Sequence, residues 1–154
     1  MKNIENCLTS LTHGALLVTG KAHPNVMTIG WGFVGYMWRK KVFIAPIRES
    51  RFTHELIENN GTFTVSFPKS GDMTNIIKVA GTRSGRDVDK FQELGLEKVV
   101  APLADSYFVG GAEDYLECRL IGKIDLDPAQ LQDEAKAFYK DGDVHTLYFG
   151  EILE

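Results

Sequence analysis

From Tyr115 to Asp125 the chain alternates: Leu116, Cys118, Leu120 and Ile124 fall on one side, and Glu117, Arg119 and Lys123 on the other. Successive side chains of an extended chain point to opposite faces, so a period of two sustained over this length specifies a half-buried β-strand. A strand needs partners. Further β-rich stretches run from Ala15 to Thr19, Val26 to Trp31, Val42 to Ala45, Thr62 to Phe67 and Val144 to Leu153, each bounded by Gly, Pro, Asn or Asp. Together they are enough to close a barrel.

Helices are fewer and short. After Ser50, a candidate N-cap, Phe52, Leu56 and Ile57 share one helical face, and Gly61 fits the left-handed position that ends a helix. Met73, Ile76, Ile77 and Ala80 form a second apolar stripe, closed by Gly81. Ser84 and Asp87 resemble a capping box ahead of Val88, Phe91 and Leu94, with Gly95 as the stop. Asp127-Pro128 opens a fourth helix that turns Leu131, Ala135 and Phe138 inward and closes at Gly142. The composition does not split, and no repeat or linker intervenes. Residues 1–154 therefore read as one α+β, mainly β domain with an antiparallel sheet.

A chain of 154 residues buries roughly 70% of the surface its unfolded form exposes, so its core needs no staples. The formal charge of −4 argues against a nucleic-acid binder dominated by phosphate contacts. Cys7 and Cys118 lie far apart without a C-x-x-C, which suggests neither a disulfide framework nor a thiolate metal cage. His13, His23, His54 and His145 lack ligand spacing, so no metal site is expected. Ala15-Leu16-Leu17-Val18 is too short for a signal-peptide core, and no apolar run approaches the roughly 20 residues of a membrane span. The expected address is the cytoplasm, with no membrane partner.

Gly30-Trp31-Gly32-Phe33-Val34-Gly35 spells G-x-G-x-x-G, but a dinucleotide fold requires a helix to open there. Instead Tyr36 to Ile44 has no helical stripe and runs into strand-like sequence, so the motif is set aside. Trp31 and Trp38 lie in this Gly-dense stretch, and Trp38 reads as core. No G-x-S-x-G elbow is present, which disfavours a hydrolase. Arg48-Glu49-Ser50-Arg51-Phe52-Thr53 places two guanidinium groups and two hydroxyls at a helix start, where orphan amides favour an anion such as a phosphate monoester. The alternative is a capped helix with both arginines in solvent, and the residues alone leave both readings open. Arg83-Ser84-Gly85-Arg86 repeats the pattern.

Taken together, Asn25-Val26-Met27-Thr28-Ile29-Gly30-Trp31, Val42 to Thr53, and Gly81-Thr82-Arg83-Ser84-Gly85-Arg86-Asp87-Val88-Asp89-Lys90-Phe91 closely resemble the flavin reductase-like, flavoredoxin-type proteins. Nearly the whole chain takes part, and Tyr115-Leu116-Glu117-Cys118 and Gly150-Glu151-Ile152 also fit. The resemblance implies an FMN-binding split β-barrel, commonly a homodimer, that passes electrons from NADH or NADPH, or from a redox partner protein, through FMN. On that basis Asn25, Met27, Thr28 and Trp31 line the isoalloxazine, while Arg48, Ser50, Arg51 and Thr53 hold the phosphate. Ser84 joins the cofactor-binding set, and Lys90 and His145 lie near the flavin as candidate catalytic groups. The family often carries Cys where Ala80 stands, and longer relatives have a C-terminal segment that closes the pocket, so substrate access is expected to differ. A flavin-holding electron carrier is the alternative function, and a pyridoxamine-phosphate-oxidase-like barrel a more distant one.

Overall fold

The computed structural model describes residues 4–69 and 71–154, so residues 1–3 and 70 of the expected domain lie outside the described residues. The order is α1 (Ile4–His13), β1 (Ala15–Thr19), β2 (Asn25–Ile29), β3 (Phe33–Met37), β4 (Lys40–Arg48), α2 (Phe52–Asn60), β5 (Thr62–Phe67), α3 (Thr74–Thr82), α4 (Lys90–Glu93), β6 (Lys98–Val100), β7 (Tyr107–Val109), β8 (Asp114–Asp125), α5 (Asp133–Lys136) and β9 (His145–Ile152). Among the described residues, seven strands pair antiparallel in the order β2-β1-β5-β8-β9-β4-β3, and β6 and β7 form a separate hairpin.

Alternation along β1 shows how the sheet buries both faces. Ala15 and Leu17 join Met27 and Ile29 of β2, Phe43, Ala45 and Ile47 of β4, and Phe63 and Val65 of β5 in the main core. Leu16 and Val18 point the other way, to a second core with Ala80 of α3 and Phe91 of α4. Strands from both ends of the sheet order share one interior, so the sheet curls round on itself as a split barrel.

β8 spans Asp114–Asp125 with Leu116 and Cys118 fully inside, as the alternation requires. Ile124 is the exception. A bulge between Leu120 and Gly122 inserts one residue against β9, which reverses the faces beyond it and leaves Ile124 55% exposed. Trp38, expected in the core, is also exposed: with Arg39 it forms the two-residue β3–β4 turn, at φ 52° and 59°. Such turns ordinarily use Asn-Gly, and without that signal β3 is invisible in the sequence.

The expected helices shift at their ends. Ser50 is not the cap of α2; Arg51 occupies that position and makes no side-chain cap bond, while Gly61 closes the helix at φ 71° as expected. α3 runs through Gly81 to Thr82. Ser84 shapes a turn instead of a capping box, and α4 starts later, where the Asp89 carboxylate accepts from the Gln92 amide. The fourth expected helix is broken into a 3-10 turn at Pro128–Gln130, the single turn of α5, and a 3-10 turn at Ala137–Tyr139. Phe138 is consequently exposed rather than inward. α1, β6 and β7 were not anticipated; α1 buries Cys7, Ser10 and Leu11 at helical spacing. Among the described residues no helix is long and apolar enough to cross a membrane, and no His/Cys/Asp/Glu group could hold a metal ion.

Candidate functional site

Two features of the fold converge on one end of the barrel. The β4–β9 ladder ends with Arg48 opposite His145, and the Glu49 amide donates to Val144 O before the chain turns into α2. Beside them α3 packs on β2, where the Thr28 hydroxyl donates to Ile77 O at 2.5 Å. The space between holds two adjoining clefts. The larger, about 320 Å³, is walled by Met27 to Trp31, Pro46, Arg48, Gly81 and His145. The smaller, about 130 Å³, is walled by Asn25, Ser50, Phe52 and Thr53, by the turn Thr82 to Gly85, and by Lys90. Met27 and Arg51 line both, so the clefts form one trough.

Every candidate taken from the sequence lies on this trough: Met27, Thr28, Trp31, Arg48, Arg51 and His145 on the larger cleft, and Asn25, Ser50, Thr53, Ser84 and Lys90 on the smaller. The partitions differ from the expected one in two ways. Asn25 faces the smaller cleft, where its amide donates to the buried Thr53 hydroxyl at 2.8 Å. Arg48 and Ser50 are engaged elsewhere. The Arg48 guanidinium donates to Asp143 O and, at 3.1 Å, to Phe138 O, and lies over the Tyr139 ring. Ser50 donates through its amide and hydroxyl to the Asp143 carboxylate at 3.1 and 2.6 Å. Both residues clasp the 138–143 segment to the barrel.

No carboxylate lines either cleft, although the chain as a whole carries −4. Lys90 is the most telling group. It is 3% exposed, and its Nζ donates to Ala80 O at 3.0 Å and Arg83 O at 3.1 Å, with no ion pair among the described residues. An ammonium has three donors, and these carbonyls take two. Burial, and then the charge of Arg51, lower its pKa to about 8. Arg51 donates to Gly81 O at 2.9 Å, and burial lowers its pKa as well. The start of α2 lies against the same cleft without a side-chain cap, so its orphan amides add positive potential. Gly85 is required there: a Cβ would stand 2.0 Å from Asn25 Oδ1.

At the other end, Trp31 is 43% exposed and packs against His145 at 5.0 Å between centroids and edge-on to Phe138 at 5.4 Å. The His145 Nδ1 is 2.7 Å from the Tyr139 hydroxyl. Burial, reinforced by Arg48, lowers the His145 pKa to about 4, so the imidazole is neutral at pH 7. The trough therefore has an aromatic end that suits a flat ring and a cationic end that suits an anion. Sequence reasoning missed Pro46, Gly81, Tyr139 and Asp143. Pro46 and Asp143 each stand two residues before a residue already singled out, Arg48 and His145, and Gly81 opens one of the motifs; Tyr139 carried no such signal.

The split-barrel fold is that of the flavin-reductase and flavoredoxin family. Residues 8–154 match the flavin reductase like domain family, and the chain belongs to it. An uncharacterised protein of Archaeoglobus fulgidus is 32% identical over 138 residues, which are 90% of this chain and 68% of that protein. Among solved structures, the flavoredoxin of Desulfovibrio vulgaris (Miyazaki F) is similar at 26% identity and a TM-score of 0.72, covering 92% of this chain and 67% of that one. Flavoredoxin from Methanosarcina acetivorans gives 25% identity and 0.72 over 92% and 66%. The chain thus spans about two thirds of the length of these relatives.

Proposed function

We propose that the trough holds FMN and that the chain, as a single domain, works as a flavin reductase-like oxidoreductase fed by NADH or NADPH. The observation that carries this reading is Lys90, a buried cation with no anionic partner among the described residues, at the smaller end of a trough whose other end is aromatic. A buried charge normally has a counter-ion, and the phosphate of FMN supplies one. Arg51, Thr53, Ser84 and Lys90 would hold the phosphate with the amides at the start of α2. Met27, Thr28, Trp31 and His145 would flank the ring. When bound, FMN supplies the one- and two-electron chemistry that side chains lack.

The remaining work falls to the chain itself. Arg51 and Lys90 bind charge, Arg48 fixes the 138–143 segment, and Trp31, braced edge-on by Phe138, offers an apolar face at the aromatic end. Neutral His145, held by Tyr139, offers a hydrogen bond without adding a proton. A homodimer is part of the proposal: β3 is an edge strand, its Tyr36 and Met37 and the Trp38 of the turn that follows are exposed, and such an apolar edge favours a second copy.

Titration with FMN and riboflavin, followed by flavin fluorescence quenching, tests the assignment. FMN is expected to bind at least tenfold more tightly, because it alone carries the phosphate. Equal affinities, or no binding, refute it. Oxidation of NADH or NADPH by the FMN-loaded protein then separates a reductase from an electron carrier.

A further inference from the structure

Outside the trough, a second cavity of about 390 Å³ opens where the 126–139 segment folds over β3 and β9. Phe33, Leu126, Leu131 and Phe138 are among its walls, and Trp31 and Pro46 are common to it and to the larger cleft. Its character is opposite to that of the trough. No charged side chain lines it, and the Tyr139 hydroxyl in its wall is already paired with His145. Arg48 holds Phe138 O and Asp143 O from behind, which keeps the wall in place without a ligand. The mouth is open, since Phe33 and Phe138 are 56% and 59% exposed.

We infer that this cavity binds an uncharged, flat, apolar molecule of fused-ring size against the outer side of Trp31. The volume falls within the roughly 300–1,000 Å³ of small-ligand sites, and an apolar preformed pocket selects for molecules that lose little hydration on entry. A stable second copy needs a broad face, about 800 Å² per partner, whereas a cavity of about 390 Å³ is sized for one small molecule. A charged ligand meets no counter-ion and is excluded. Assigning the bound molecule as substrate of the oxidoreductase rests on the proposed flavin site; its binding does not.

Equilibrium dialysis of 2-naphthol against 2-naphthoate, with and without saturating FMN, tests this. 2-Naphthol is expected to bind in both conditions and 2-naphthoate at least tenfold more weakly. Ala135→Trp fills the cavity from α5, and Leu131→Glu places a carboxylate in its wall; each is expected to weaken 2-naphthol at least tenfold while FMN affinity and the thermal melt stay unchanged. The inference is overturned if 2-naphthol fails to bind, if FMN displaces it, if folded Ala135→Trp and Leu131→Glu bind it normally, or if binding vanishes as the protein dimerises on concentration. Failure of FMN to bind, with 2-naphthol still sensitive to both substitutions, sinks the flavin site and sustains the cavity assignment.

Discussion

Lys90 turns the phosphate assignment into a pH experiment. With a pKa near 8 in the free protein, Lys90 is about nine-tenths charged at pH 7 and about one-tenth charged at pH 9. A phosphate monoester, with its second pKa near 6, remains a dianion throughout that interval. If the bound phosphate lies against Lys90, attraction raises the lysine pKa in the complex, and binding takes up a proton above pH 8. The FMN dissociation constant should then rise about tenfold between pH 7 and pH 9, or about 1.4 kcal/mol. Riboflavin, titrated in parallel, removes any effect of pH on the ring end of the trough. Lys90→Met keeps the apolar stem and deletes the titration, so its preference for FMN over riboflavin should be weak and independent of pH. Free-protein stability should move the other way. The unfolded lysine titrates at 10.5, so the penalty of burying its charge is fully present below pH 8, and stability rises as pH climbs from 8 to 10.5. FMN should therefore raise the melting temperature more at pH 7 than at pH 9. A wild-type preference for FMN that is flat from pH 7 to 9, or a slope retained in Lys90→Met, refutes the placement of phosphate beside Lys90.

Arg51→Ala removes a charge-assisted hydrogen bond worth roughly 1.5–3 kcal/mol, which should weaken FMN by about one to two decades and leave riboflavin nearly unchanged. Thr53→Val should act in the same direction more mildly, and equal losses for both flavins would place the phosphate elsewhere, at Arg83 to Arg86. His145 should titrate by NMR with a midpoint near 4; a midpoint at or above 6.5 would contradict its burial as a neutral group. Because the unfolded state gains that proton near 6.5, the stability held by neutral His145 is present above pH 6.5 and lost as pH falls through 4. Urea titrations should show a loss of about 2 kcal/mol between pH 7 and 5 that His145→Gln abolishes.

The parts of the molecule legible in the sequence are those whose signal is local. β8 declares itself by side-chain period, β1 and β5 by β-rich runs set between turn residues, and Gly61 by the backbone conformation that only a residue without Cβ adopts easily. Ile124 was misplaced because a bulge is a property of two paired strands, and one strand alone does not reveal where its partner skips a residue. Trp38 and β3 were lost because the turn between β3 and β4 is made by Trp38 and Arg39, without the residues such turns normally use. The site residues were named through motifs, and the fold brings them onto one trough. Their division of labour was not legible: the sequence shows Arg48, Ser50 and Arg51 as neighbours, while the β4–β9 register brings Asp143 against the first two and leaves Arg51 to the clefts.

Two cations in a half-closed cleft need a reason to stay there before any anion arrives, and α3 provides it. Lys90 donates to Ala80 O and Arg83 O, and Arg51 to Gly81 O, all at the C-terminal end of that helix. The last carbonyls of a helix lack intrahelical partners and carry its negative pole, so each cation there gains roughly 0.3–1 kcal/mol, rising toward about 2 kcal/mol where burial limits screening. That is enough to hold the side chains in position and too little to neutralise them, which is why Lys90 remains depressed to about 8 rather than restored to 10.5. One helix end thus aims two donors into the smaller cleft while the uncapped start of α2 faces it from the other side. An anion entering between them replaces partial compensation by a full counter-charge and finds its donors already ordered, so its binding energy is not consumed in arranging them.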